Sequence, residues 1–281
     1  MRRAALTLAA ALMLAPGAPA HAACRLALAL ALDVSSSVDA EEDALQRGGL
    51  ARALLAPRVQ AAFFSVPGES VALGAYEWSG RYQQTVILPW TPIDSPAALR
   101  AAAATIAASR RAHSRFPTAL GYALGFGAGF LREAPDCLFR TLDVSGDGRN
   151  NEGFPPALAY RHFPFEGVTV NGLAIAGGPE DIAAYYRAEL IHGPGAFVEE
   201  AAGYADYERA MRRKLERELR APALGGGMPP ALRAAALNDT GLADPHRRPA
   251  AGARSRVPQP QPPPAPTEDR PDRPPRPLPP R

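Results

Sequence analysis

Short apolar runs alternate with longer amphipathic segments along most of this chain. Residues 25–32 read RLALALAL and stop abruptly at Asp33. Periodicity alone does not separate strand from helix in so short a run, but its length and polar end predict a strand buried on both faces. Residues 39–56 carry Asp39, Glu41, Glu42 and Asp43 early and Arg47 and Arg52 late, a polarity that suits a helix dipole. Leu45, Leu50, Leu54 and Leu55 give that helix an apolar face.

The same reading predicts strands over 71–78, 84–88, 138–145, 168–176 and 196–199, and helices over 96–109, 118–132, 180–190 and 205–220. Ser79-Gly80-Arg81 separates the second and third strands and predicts a hairpin. Ser95 is placed to cap the helix that opens with Pro96. Strands alternating with helices imply an α/β fold: a doubly wound, mostly parallel six-stranded sheet with one antiparallel edge strand and helices on both faces. Ligands of such sheets bind beyond the carboxyl ends of the strands, where the strand order switches. Attention therefore falls on Asp33 and Asp147 and the residues that follow each.

The two ends of the chain read differently. Arg2 and Arg3, the uncharged run 4–14 and Ala20-His21-Ala22 form a secretory leader over residues 1–22. The apolar run is shorter than the roughly 20 residues a bilayer span needs, which argues against a membrane anchor. A lipid-anchored Cys24 is a further alternative, disfavoured by His21. From residue 221 the chain is rich in Gly, Pro, Arg and Ala, and over 258–281 Pro fills nearly every second position with Leu278 the one large aliphatic. So little apolar surface does not offset ordering entropy, so 221–281 is expected to be a disordered tail, either solvated or a ligand for aromatic-lined grooves or the cell wall. The span 23–220 is left as one domain of ordinary size.

Charge adds little. The formal net charge of the 281 residues is +3, with much of the excess arginine in the leader and tail. No basic stripe interleaved with aromatics is present, so nucleic-acid binding has no support. The two cysteines, Cys24 and Cys137, are an even count that suits a disulfide in an exported protein.

Three loops fall on one rim if the strands are parallel: Asp33-Val34-Ser35-Ser36-Ser37, Pro117-Thr118-Ala119 and Ser145-Gly146-Asp147-Gly148. Asp33 and Asp147 offer two carboxylates, and Ser35, Ser37 and Thr118 three hydroxyls. An oxygen-only set suits a hard cation such as Mg²⁺, with Mn²⁺ or Ca²⁺ as alternatives, whereas zinc prefers nitrogen or sulfur. Asp143 lies four residues before Asp147 on the same strand face and is an alternative metal carboxylate. Asp147 is better placed, at the strand end and before a glycine, with Asp143 as a hydrogen-bonded support. The bland alternative for the serines is that they cap the helix near Asp39. Gly148-Arg149-Asn150-Asn151 either line the rim or form a turn. Trp78 and Trp90 read as packing residues, and His113, His162 and His192 lack metal-ligand spacing.

The D-x-S-x-S pattern at Asp33, Ser35 and Ser37, with Thr118 and Asp147-Gly148 in that order, resembles the metal-ion-dependent adhesion site of von Willebrand factor A (vWA) domains. The stretches LALALDVSSSVDAEE, YEWSG, PTALGYAL, DVSGDGRNNEG, VTVNGLAI and GPGAFVE resemble a bacterial secreted subfamily of unknown function. The resemblance implies a metal on Asp33, Ser35, Ser37, Thr118 and Asp147, with one position left for a partner's carboxylate. It also implies that the first and fourth strands are neighbours. Cys24 stands nine residues before Asp33 and Cys137 ten before Asp147, so this order would bring the cysteines together as a disulfide at the opposite rim.

The expected function is an exported, divalent-cation-dependent protein-binding module, periplasmic or secreted, without stable membrane insertion after leader removal. Two alternatives stand beside it. One is a metal-dependent hydrolase, although no nucleophile–base pair is visible in the motif loops. The other is a structural envelope protein whose metal only stabilises the fold.

Overall fold

The computed structural model describes residues 23–178 and 180–224, the last four by backbone alone. The expected leader and the tail beyond 224 lie outside the described residues. Thirteen main elements follow one another: β1 (Ala23–Asp33), α1 (Ala40–Leu54), α2 (Pro57–Phe63), β2 (Glu69–Trp78), β3 (Gln84–Ile93), α3 (Pro96–Ala108), α4 (Leu120–Arg132), β4 (Cys137–Gly146), α5 (Pro156–His162), β5 (Val168–Ile175), α6 (Ile182–Tyr185), β6 (Val198–Ala201) and α7 (Tyr207–Leu224). The six strands form one sheet in the order β3-β2-β1-β4-β5-β6. All neighbours are parallel except β2 and β3. The fold is α/β, mostly parallel, with one antiparallel edge strand.

The alternation of leucine and alanine in β1 divides the core. Leu26, Leu28, Leu30 and Leu32 point to one face, where they meet Leu50 and Leu54 of α1, Leu99 of α3 and Met211 and Leu215 of α7. Ala27, Ala29 and Ala31 point to the other, against Leu120 and Leu124 of α4. Small strand residues admit a close helix, and α4 contributes a glycine to match. A Cβ on Gly127 would stand 2.6 Å from the Tyr76 hydroxyl and 2.7 Å from Leu142 Cδ2. Successive strand residues face opposite sides, so this one segment specifies both layers.

Several boundaries differ from expectation for identifiable reasons. β3 continues to Ile93 through Pro89 and Pro92, which an edge strand tolerates, with Pro89 at a shift in the β2–β3 register. α2 and α5 were not expected. Each has seven residues and a proline in its first turn, too short for a helical period to show. The helix expected over 180–190 is α6 followed by a π-helical turn at Tyr186–Leu190. α4 begins at Leu120, two residues after Thr118, so Thr118 stands in the loop ahead of the helix.

The end of the sheet away from Asp33 is closed twice. Cys24 and Cys137 are paired in register and joined by a disulfide, with Cα atoms 4.5 Å apart. Buried Arg25 donates to the carbonyls of Leu219, Ala62 and Phe63, tying α7 and α2 to the foot of β1. Among the described residues no helix is long and apolar enough to cross a membrane.

Candidate metal centre

In the order β3-β2-β1-β4-β5-β6 the chain turns back between β1 and β4, so the loops after these two strands flank the switch point. Asp33 ends β1 fully buried. Its Oδ1 accepts the Ser35 N–H at 2.7 Å, which folds the following loop into a tight turn. Val34 N–H donates to Trp78 O, and Ser36 N–H to Phe116 O, both at 2.8 Å. That turn carries Ser35 Oγ to 3.1 Å from Ser37 Oγ. Ser37 Oγ in turn donates to Asp147 Oδ1 at 2.8 Å. α1 starts beyond this turn, and its cap is Asp39, whose carboxylate accepts the N–H groups of Glu41 and Glu42. Ser35 and Ser37 take no part in that cap, so their hydroxyls are left to the rim.

Thr118 joins from the α4 side. It is 3% exposed, and its backbone is held from both directions by Asn151. Thr118 N–H donates to Asn151 Oδ1, and Asn151 N–H donates to Thr118 O, each at 2.9 Å. A Cβ on Gly148 would stand 3.2 Å from Thr118 Oγ1, so the loop after β4 runs directly against the threonine. Ser37, Thr118, Asp147 and Gly148 line one open hollow of about 270 Å³. The five expected residues thus converge, with Asp33 and Ser35 at depth, Thr118 nearly covered, Asp147 half-buried and Ser37 exposed.

The electrostatics favour a cation. Burial first, and the charge of Asp147 second, push the Asp33 carboxyl up to about 7, against the opposing hydrogen bonds from Ser35. Burial also raises Asp147, opposed by the Ser37 hydroxyl. Asp33 Oδ2 is buried without a hydrogen-bond partner. An orphaned oxygen on a buried carboxylate beside a second acid is the condition a bound cation relieves. The residues present therefore fit a hard divalent ion. Among the described residues no group of three His, Cys, Asp or Glu side chains could hold a metal, so hydroxyls would have to supply the rest of the shell.

Asp143 stands elsewhere. It points towards α7, fully buried, with Lys214 Nζ 2.6 Å from its Oδ1. The same ammonium donates to Glu218 Oε1 at 2.6 Å. Trp90 packs as expected, stacked on Phe130 and donating to its carbonyl. His192 stacks on Tyr160, and His113 sits edge-on to Phe116. In the segment after Asp147, Arg149 lies over the Tyr185 ring and Asn150 Oδ1 accepts the Gly121 N–H. Arg149 edges the hollow, and Asn150 braces the first turn of α4.

Sequence reasoning missed three contributors. Tyr186 and Tyr204 place buried hydroxyls near the two acids, and both are pushed well above the usual phenol range, by burial first and by Asp33 and Asp147 next. Gly146 makes room for this arrangement. A Cβ there would stand 2.5 Å from the Tyr186 hydroxyl and 2.8 Å from Asp33 Oδ2. Only the glycine immediately before Asp147 was a visible signal, because the tyrosines arrive from remote elements.

Residues 23–223 match the family described as Protein of unknown function (DUF1194). The chain belongs to this family. No curated protein matches the chain. Among solved structures, proximal thread matrix protein 1 from the mussel byssus aligns with TM-score 0.53 at 15% identity, covering 71% of this chain and 49% of that one. The PilB minor pilin from Streptococcus sanguinis aligns with TM-score 0.52 at 12% identity, covering 75% and 65%. A von Willebrand factor type A protein from Catenulispora acidiphila aligns at 0.49 and 16% identity, covering 70% and 43%. The chain spans about half the length of the mussel protein it matches. At these identities the likeness is one of fold alone.

Proposed function

We propose that this chain is a divalent-cation-dependent protein-binding module of the adhesion type. Asp33, Ser35, Ser37, Thr118 and Asp147 would hold the ion, Mg²⁺ in the first instance and Mn²⁺ or Ca²⁺ as substitutes. The observation that carries the reading is the continuous chain of contacts from Asp33 through Ser35 and Ser37 to Asp147, with Asp33 Oδ2 left unpartnered at its base. When bound, the ion supplies an accessible positive charge. Buried Asp33 and Ser35 fix its depth, and the open side at Ser37 and Asp147 admits a carboxylate from a protein partner. Arg149 and Asn151 edge that opening and would screen which acidic group enters.

We read the domain as 23–220, exported by the leader at 1–22 to the periplasm or beyond and followed by a Pro- and Arg-rich tail. We read its role as binding: the cradle's polar groups hold one another in place, and among the described residues no His or Lys lines the hollow. The vWA-like fold, shared with a byssus matrix protein and a minor pilin, supports an adhesive role.

The test is calorimetric titration of Mg²⁺ and Mn²⁺ into the leader-free protein beside Asp33→Ala and Asp147→Ala. Saturable binding in the parent, lost in both variants, is expected. A parent that binds neither ion, or variants that bind as the parent does, overturns the reading.

A further inference from the structure

The loop that carries Ser35 and Ser37 owes its shape to a residue far along the chain. Arg111 lies between α3 and α4, and its guanidinium reaches back across four backbone carbonyls. Nη2 donates to Val34 O and Ser35 O at 2.8 Å, Nη1 to Val38 O at 2.7 Å, and Nε to His113 O at 2.7 Å. Three of these carbonyls belong to the turn between Asp33 and the start of α1. They are thereby directed at Arg111, while the Ser35 and Ser37 hydroxyls face the rim. The neighbouring Ala112 N–H donates to Glu77 Oε1 at 2.7 Å, and buried Glu77 is held by Arg47 of α1. Arg47 also binds Asp43 and Ser109. The strap from Ser109 to Phe116 is thus fastened at both ends, by Ser109 to Arg47 and by Phe116 O to Ser36 N–H.

We infer that Arg111 is the positioning residue of the cradle, setting the loop that presents Ser35 and Ser37 without itself touching the ion; this rests on the reading of the cradle as a cation site. A planar fork with five donors satisfies four carbonyls at once, which a lysine ammonium with three donors on one point does not. Its fixed positive charge also offsets part of the repulsion between Asp33 and Asp147.

A comparison separates positioning from general support. Arg25 makes the same kind of clamp, guanidinium on three carbonyls, at the opposite end of the sheet. Mn²⁺ affinity and the electron paramagnetic resonance spectrum of bound Mn²⁺ are to be measured for the full leader-free chain, Arg111→Lys and Arg25→Lys. Arg111→Lys is expected to lose about 10- to 100-fold in affinity, the range for groups that orient metal ligands, and to change the line shape of the bound ion. Arg25→Lys is expected to lower the unfolding midpoint and leave both readouts in place. Should Arg111→Lys not fold, Glu77→Gln, which reaches the loop only through Ala112 and Arg47, is expected to weaken Mn²⁺ in the same direction. Folded Arg111→Lys, or failing that Glu77→Gln, binding Mn²⁺ within about twofold of the parent overturns the inference, as does an equal loss in Arg25→Lys. A parent that binds no Mn²⁺ overturns the cation reading itself and the inference with it, and so is distinguished from a failure of Arg111 alone.

Discussion

The Ser37 hydroxyl donates a 2.8 Å hydrogen bond to Asp147 Oδ1 across 110 residues of chain. It closes the rim between the loops after β1 and β4, and it is the most exposed link of the cradle. Ser37→Ala is expected to weaken Mg²⁺ by more than about tenfold, or ~1.4 kcal/mol. Because Ser37 is exposed, the unfolding midpoint should scarcely move. Calorimetry and urea denaturation on the same sample check the two halves.

Gly146 is expected to admit no side chain. An alanine Cβ would press on the Tyr186 hydroxyl at 2.5 Å and on Asp33 Oδ2 at 2.8 Å. Gly146→Ala should therefore cost ~1–3 kcal/mol, as overpacking does. It should also abolish cation binding, because the displaced oxygen belongs to the cradle. Urea melts with and without Mg²⁺ report both effects, and unchanged Mg²⁺ stabilisation in the variant contradicts the geometry.

The Cys24–Cys137 disulfide joins residues 113 apart at the end of the sheet remote from the cradle. Loop-closure entropy for a ring of that size amounts to roughly 4 to 5 kcal/mol. The Cys24→Ser, Cys137→Ser double variant should lose stability on that scale. Its Mg²⁺ affinity, measured where it is still folded, should match the parent.

Lys214 faces two carboxylates, Asp143 and Glu218, all of them buried. Burial first and the charge of Glu218 second push the Asp143 carboxyl up to about 8, with Lys214 opposing. An aspartate in the unfolded chain titrates near 4, so the folded state holds this proton more tightly. The stability it confers is fully present below about pH 4 and is lost as pH rises through about 8. Urea midpoints taken from pH 5 to 9 should fall on this account, and Asp143→Asn should flatten that slope. Lys214→Met should be worse above about pH 8, where Asp143 is ionised, by ~3–5 kcal/mol, since it strands buried negative charge there.

Much of the frame was legible in the sequence because it depends on local pattern. The leucine–alanine alternation of β1, the acid-to-base run of α1 and the Asp-x-Ser-x-Ser turn each act over a few residues, and each appears where the pattern placed it. Parallel strands then made the rim an arithmetic consequence: if β1 and β4 run together, Asp33 and Asp147 must end side by side. Short elements escaped. α2 and α5 have under two full turns beyond their opening prolines, and the π-helical turn after α6 leaves no periodic signature.

What the tertiary structure alone decided is which distant groups meet at the rim and which do not. Asp143 lies within β4 and Asp147 just past its end, four residues on, and the two are indistinguishable by type. Packing of α7 sends the first to Lys214, while the strand end releases the second to Ser37. Nothing near Tyr186, Tyr204 or Arg111 in the sequence marks them as neighbours of Asp33 or its loop. Their roles arise because side chains and carbonyls 73 to 77 residues apart, in the case of Arg111, are brought within hydrogen-bond reach only once the sheet and its helices have packed. Local pattern acts through backbone geometry and is written in the order of residues; long-range pairing is set by which surfaces bury one another, and that is settled only in three dimensions.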